Sequence, residues 1–422
     1  MRVLFSSFAH KTHYYNLVPL AWAMQTAGHE VRVASQPSLV DAITGTGLTA
    51  VPVGNDDSII ELITRIGGDI GLYQKGLDFT EQRPERLTWE YLLGMQTMIT
   101  AFCHEPLNGD ATIDELTDYA LSWQPDLIVW EPMTLAAPIA ATVSGAAHAR
   151  LLWGPDVVTR ARQQFLRAMA EQPEEHREDP FAEWMTWTLA RYGKEKAFSE
   201  DLLTGQWTID PSAPSTRLDL GVPTVGTRYV PHNGPSVIPA WLAEAPTRPR
   251  ICLTVGVSAR ETLGKDEVSL ADLLDALGDV DAEVVATLDA TQQALLPRVP
   301  DNVRLVDFVP MNALLPTCSV IINHGGAGTH STAMLHGVPQ VMLTNLWDAP
   351  LKAQQQEELG AGIAIRTDEV TARGVRDAVV RVLTEPSFRE GALRLRAEML
   401  AEPSPNAIVD RLEDLTKAHR RH

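Results

Sequence analysis

The sequence predicts an α/β protein of two Rossmann-like domains, each built on a parallel sheet. Three observations carry this expectation. Short apolar runs alternate with longer stretches of helical period in both halves, the pattern of parallel strands covered on both faces. The 422 residues are too many for one ordinary domain and suit two or three. A proline-rich stretch with no clear period, 230–250, separates the halves, and the strand–helix rhythm restarts after it.

The elements follow in order. Arg2 to Phe8 reads as a strand, and a helix begins near Tyr14 with Leu17, Leu20, Ala21 and Met24 at helical spacing. Pro19 sits near the start of that helix, where it is tolerated, and Gly28 ends it before a strand at Glu30–Ser35. LIVW (127–130), a helix from about Leu135 and ARLLW (149–153) continue the rhythm. Residues 54–110 and 155–205 mix aromatic and apolar residues with charges, and read as helical insertions near a pocket. In the second half the strands fall at 251–256, 282–287, 303–306, 319–323, 339–343 and 362–365. Consecutive helices follow from about Thr371. The expected divisions are a first domain at 1–230, a linker at 231–250 and a second domain at 251–400. A helix at 401–422 packs back on the first domain.

Composition narrows the function. The net charge of −19 argues against nucleic acid, because a phosphate backbone would be repelled. No apolar run approaches a membrane span, and MRVLFSSF enters a strand directly without a signal-peptide region, so no membrane partner is expected. Cys103, Cys252 and Cys318 are odd in number and in no metal-ligand spacing, which fits a reducing cytoplasm.

The strongest local signal is NHGGAGTHST at 323–332. It follows an apolar strand and opens a helix. Gly325, Gly326 and Gly328 would let backbone approach an anion, and the helix N-terminus supplies N–H groups. Thr329 and His324 add side-chain donors. The same run also serves as a tight strand-to-helix turn without a ligand. Its place at the end of a parallel strand favours the ligand.

With SSFAHKTHYYNLVPLAWAMQTAGHEV at the start, FVPMNALLPTCSVIINHGGAGT in the second half and PQVMLTNLWDAPLKAQQQEELGAG after it, the chain resembles bacterial nucleotide-sugar glycosyltransferases of natural-product pathways. LLWGPDVVTRARQQFL and EQPEEHREDP resemble the desosaminyl- and mycaminosyltransferases of macrolides within that group. The resemblance spans essentially the whole chain. It implies the GT-B fold, two Rossmann-like domains with sheets facing across a cleft.

The resemblance also assigns roles. His13, six residues before Pro19, matches the family's general base, and an imidazole can take a hydroxyl proton near neutral pH. His10 is its neighbouring rival and does not match; His29 reads as structural. Glu131 matches the acid that orients that histidine, where many relatives have aspartate. The alternative for Glu131 is a solvent-facing carboxylate at a strand end. Phe308 offers the nucleotide base a stacking face and Val309 a backbone hydrogen bond, although Phe308 also suits ordinary core packing. Ser258 matches a hydroxyl that reaches the donor phosphates, with Arg260 beside it. Asp348 retains the acid of a Gly-Asp-Gln run that binds sugar hydroxyls, while Ala349 replaces the amide. Losing the amide suits a sugar with fewer hydroxyls. Trp347 adds an apolar wall or a face for a dimethylammonium group.

These assignments imply an inverting hexosyl transfer from a TDP-sugar, the donor substrate, to a hydroxyl of a macrolide or polyketide aglycone. No cofactor and no metal are expected, because no carboxylate cluster stands beside the phosphate site. The alternatives are a resistance-type macrolide glucosyltransferase and a nucleotide-sugar 2-epimerase. Further partners to test are a second copy of the chain and an auxiliary protein related to haem monooxygenases. The second is implied by the resemblance to macrolide aminosugar transferases, with indirect support from five aromatics that read as exposed interface anchors or equally as lining of the acceptor pocket or core of the insertion: Phe165, Phe181, Trp184, Trp187 and Tyr192.

Overall fold

A computed structural model describes residues 1–56, 78–232, 234–254, 269–344, 347–366 and 369–420. The chain divides into two units. Unit 1 comprises Met1–Pro211, Leu218–Gly234 and Pro403–His422, and unit 2 comprises Ser212–Arg217 and Pro235–Glu402.

Unit 1 carries a seven-stranded sheet of β1 (Arg2–Ser6), β2 (Glu30–Ser35), β3 (Ala50–Pro52), β4 (Leu127–Trp130), β5 (Ala147–Leu151), β6 (Trp207–Asp210) and β7 (Thr224–Gly226). The order is β3-β2-β1-β4-β5-β6-β7 and every pairing is parallel. Alternate residues of each strand serve opposite faces. Val3, Phe5, Val31 and Val33 pack with Leu17, Leu20 and Met24 of the first helical segment and Leu412 of the C-terminal helix Val409–His419. Leu4, Ile128 and Trp130 pack on the other face with the helices Asp110–Trp123 and Ala136–Ser144. His29 has a structural task, as expected: its Nδ1 lies 3.1 Å from the N-terminal amine and its Nε2 3.2 Å from Glu413.

Unit 2 carries a six-stranded parallel sheet of β8 (Arg250–Thr254), β9 (Glu283–Thr287), β10 (Val303–Val306), β11 (Val320–Asn323), β12 (Gln340–Thr344) and β13 (Gly362–Arg366). Its order is β10-β9-β8-β11-β12-β13. Ile251, Leu253, Val284 and Val320 meet the helices Leu270–Gly278 and Ala372–Thr384 on one face. Cys252, Val285 and Ile321 meet Leu314 and Leu315 on the other.

The six strands expected in the second half are present within a residue or two. In the first half, β3, β6 and β7 are additions to the expected set. The strand expected at 149–153 lies instead at Ala147–Leu151. Its fourth residue, Arg150, is fully buried, donating to Thr159 at 3.0 Å and Thr208 at 3.1 Å and pairing with Asp156. A guanidinium is expelled from a strand by desolvation unless partners from other elements surround it, as they do here.

The aromatic set of the insertion divides between the exposed and the core reading. Phe165 and Phe181 are fully buried, Phe165 stacking on Trp89 with centroids 5.4 Å apart. Trp184 and Tyr192 pack half-buried against the core of unit 1. Trp187 alone of the five is openly exposed, at 68%. The cause is helical period: on Pro180–Ala190 the buried positions are Phe181, Met185, Thr188 and Leu189, and Trp187 falls off that face.

Candidate active site

In an open α/β sheet, ligands meet the carboxyl ends of the strands where the strand order reverses. Unit 1 reverses between β1 and β4, and unit 2 between β8 and β11. The expected catalytic pair and the glycine loop each follow strands at these two points.

His13 lies on a short helix, Lys11–Tyr14, beyond β1, and Glu131 directly follows β4. Ser6 and Trp130, the last residues of these strands, are register partners. Residues 118 apart in sequence are therefore neighbours, with His13 Nδ1 2.9 Å from Glu131 Oε2. Glu131 is fully buried, which excludes the solvent-facing alternative. Its Oε2 also accepts from the Met133 N–H at 3.1 Å and from Trp153 Nε1 at 3.4 Å, and its Oε1 accepts from Thr134 Oγ1. Burial works to raise the Glu131 pKa. The charge and hydrogen bond of His13, with the hydrogen bonds from Thr134 and the Met133 N–H, outweigh it and hold the carboxyl below its ordinary range. The His13 ring is flanked by Phe8, with centroids 4.6 Å apart, and by Trp153, at 5.3 Å. His10 stands beside it, its ring 5.5 Å from that of His13 and 2.8 Å from Thr12 Oγ1. Burial, reinforced by His13 and opposed by Glu131, pushes the His10 pKa down to about 4. The carboxylate thus engages His13, and His10 is neutral at physiological pH.

Phe8, Thr134 and Trp153 were not anticipated at this site. Their signal in the sequence is positional: each stands two to four residues beyond the end of β1, β4 or β5, three strands adjacent in the sheet.

In unit 2 the loop after β11 leads into the helix Ala327–His336, with Gly326 as its N-cap. Gly325 is buried at φ +83°, a conformation open to glycine and strained for other residues. A Cβ there would stand 2.7 Å from the Cβ of Ala349. The Gly325 N–H donates to Asn323 Oδ1 at 2.8 Å, and Asn323 Nδ2 donates to Gln340 Oε1 at 3.0 Å. Gln340 Oε1 also lies 3.2 Å from Nδ1 of buried His330. His324 is half-buried with its ring folded over Gly326, where an added Cβ would lie 2.7 Å from Nε2. Gly328 is exposed and Thr329 half-buried in the first helical turn.

The turn after β12 joins this cluster. Asp348 and Lys352 are both buried and paired, with Oδ2 2.7 Å from Nζ. Lys352 Nζ also donates to the Gly325 carbonyl at 3.2 Å. Lys352 was missed in the sequence because a lysine at a helical position reads as a solvated charge. Trp347 adopts φ +54°, rare for a bulky side chain, and so marks local strain at this turn.

The structure thus unites His324, Gly325, Gly326 and Asp348. Phe308 and Val309 follow β10 at the same carboxyl edge, with β9 and β8 between β10 and β11. Phe308 is 56% exposed, so core packing does not account for its ring; Val309 is buried. Ser258 and Arg260 lie outside the described residues. Among the described residues no group of three or more His, Cys, Asp or Glu is placed to hold a metal ion, and no helix is long and apolar enough to cross a membrane.

Two parallel α/β units, one with a histidine–carboxylate pair and the other with a glycine loop at its switch point, define a glycosyltransferase of the GT-B fold. The solved glycosyltransferase VinC, in complex with dTDP, is similar at a TM-score of 0.89 and 41% identity, covering 99% of this chain and 100% of that one. Spinosyn forosaminyltransferase SpnP is similar at 0.82 and 38%, covering 99% of each. Residues 22–256 match the N-terminal domain and 271–415 the C-terminal domain of the erythromycin biosynthesis protein CIII-like family, and the chain belongs to that family. It is 58% identical to the 10-deoxymethynolide desosaminyltransferase of Streptomyces venezuelae, over 100% of this chain and 98% of that one. It is 57% identical to the tylactone mycaminosyltransferase of Streptomyces fradiae, over 100% and 93%.

Proposed function

We propose that the chain transfers a deoxyaminosugar from a TDP-sugar to a hydroxyl of a macrolide or polyketide aglycone, with inversion and without a metal. The observation that carries this reading is the 2.9 Å contact between His13 and buried Glu131 at the switch point of unit 1. A carboxylate only accepts, so the His13 proton resides on Nδ1 and Nε2 keeps its lone pair. Nε2 takes the proton of the acceptor hydroxyl as its oxygen bonds to the anomeric carbon. The bond from that carbon to the phosphate oxygen breaks, and its electron pair leaves on TDP. Attack opposite the leaving group inverts the centre. N–H groups at the start of helix Ala327–His336, with His324 and Thr329, offset the charge on the departing diphosphate. The dTDP bound by VinC supports the nucleotide, and the desosaminyl and mycaminosyl relatives support the sugar class. Cys103, Cys252 and Cys318, all buried and in no disulfide, support a reducing, cytoplasmic setting.

The test is mass spectrometry of products from a panel of TDP-sugars and macrolide aglycones, with the anomeric configuration read by NMR and EDTA present throughout. His13→Ala should lose about 10²–10⁴-fold in turnover while calorimetry shows dTDP binding intact. Near wild-type turnover in that variant removes His13 as the base. A retained anomeric configuration removes the direct displacement, and loss of activity in EDTA removes metal independence. An auxiliary protein and self-association belong to the same proposal. Initial rates and gel filtration with and without the auxiliary protein test them, and Trp187→Ala probes the exposed aromatic.

A further inference from the structure

Lys352 is a buried cation in a second-half helix where an apolar residue would pack. It lies one turn into Ala349–Glu358, is 1% exposed, and contacts Asp348 at 2.7 Å and the Gly325 carbonyl at 3.2 Å. A buried ion pair gives little stability over apolar side chains of the same volume, so stability alone does not account for it. Its second contact does. In a trans peptide the carbonyl of one residue and the N–H of the next point in opposite directions. With the Gly325 carbonyl held toward Lys352, the Gly326 N–H is directed away from the helix that carries Lys352. Gly326 is the N-cap of Ala327–His336, so this amide stands at the end of the helix that attracts anions. The opposite side of Gly325 is fixed as well, its N–H donating to Asn323 Oδ1 at 2.8 Å. Ala349 fills the space where a Cβ on Gly325 would lie.

We infer that Lys352 is a positioning residue for donor binding: by clamping the Gly325 carbonyl, with its charge balanced by Asp348, it aims the Gly326 amide at the diphosphate of the nucleotide-sugar. Asp348 then acts first as the counter-ion of Lys352. The inference rests on the donor reading proposed above. It adds that Gly325 and Gly326 after β11 and Asp348 after β12 present the diphosphate site as one unit, joined through the Lys352 ammonium group.

The experiment measures dTDP binding by calorimetry, together with separate KM values for TDP-sugar and aglycone. Replacing lysine alone would strand the Asp348 carboxylate, so the main variant is Lys352→Met with Asp348→Asn. Its dTDP affinity should fall by about tenfold or more, the scale of a hydrogen bond from a charged donor. Donor KM should rise by a similar factor while aglycone KM and Tm stay near wild type. Lys352→Arg keeps the charge and the donors and should restore most of the affinity. Unchanged dTDP binding in the double variant overturns the inference. So does a parallel rise in both KM values with a lowered Tm that Lys352→Arg shares, which marks a packing residue. Absence of dTDP binding by the wild-type chain overturns the donor reading itself and is recognised before any variant is made.

Discussion

Replacing Glu131 by glutamine removes one charge and little else. Oε2 receives the His13, Met133 and Trp153 donors, so the glutamine carbonyl must occupy that position. Its amide then takes the place of Oε1 and donates to Thr134 Oγ1, which can accept as readily as donate. The tautomer and orientation of His13 are therefore kept, and the loss is the attraction between carboxylate and imidazolium that develops as the acceptor proton moves. Two unit charges about 4 Å apart attract by about 1 kcal/mol in water and about 4 kcal/mol at the effective dielectric of a protein surface. His13 is 23% exposed and Glu131 fully buried, so the second figure is the closer guide. At about 1.4 kcal/mol per factor of ten, turnover should fall by roughly 10²–10³-fold. The assay is the initial rate at saturating donor and aglycone, with dTDP calorimetry and Tm alongside. Turnover within a factor of about two of wild type, in a folded variant, would refute the claim that the carboxylate stabilises charge on His13.

Other outcomes follow from particular contacts. Gly326→Val places a Cβ 2.7 Å from His324 Nε2 and a branched side chain beside the helix N-terminus; dTDP affinity should drop by about tenfold or more with circular dichroism unchanged, and intact affinity would reduce the loop to a turn. Ala349→Gln restores an amide beside Asp348 and should raise relative use of TDP-glucose in donor competition; no shift, at retained dTDP binding, would mean that position 349 does not read the sugar. Burial, aided by the charge of Arg162 for His104 and of Lys352 for His330, drives both histidines down to a pKa of about 3. Between pH 6.5 and 3 the unfolded chain binds more protons at these sites, so stability is fully present above pH 6.5 and is lost as pH falls. Each site contributes a slope of about 1.4 kcal/mol per pH unit, and Glu131, with its lowered pKa, acts in the same sense. Urea unfolding at pH 7 and pH 5 checks this; equal midpoints would contradict it.

The sequence alone determined the strands of unit 2, because each is a short run of apolar and β-branched residues bounded by polar or turn residues. It located the glycine loop for the same reason, since a strand, a glycine cluster and a helix are adjacent in the chain. It could not reveal β3, β6 and β7, which are three or four residues long and carry proline, glycine or polar residues. Their pairing depends on neighbours distant in sequence, as Arg150 and Thr208 illustrate. Resemblance nominated His13 and Glu131, but their contact exists because β1 and β4 are adjacent in the sheet, a matter of strand order rather than of local pattern. Phe165 and Phe181 are core residues because other elements cover them. Lys352 is the clearest case. A lysine on a helix belongs in water by its own chemistry, and partners such as a carboxylate one turn before it and a carbonyl from another loop make its burial tolerable. Local chemistry fixes which elements form; desolvation and pairing between distant elements decide which side chains can act together.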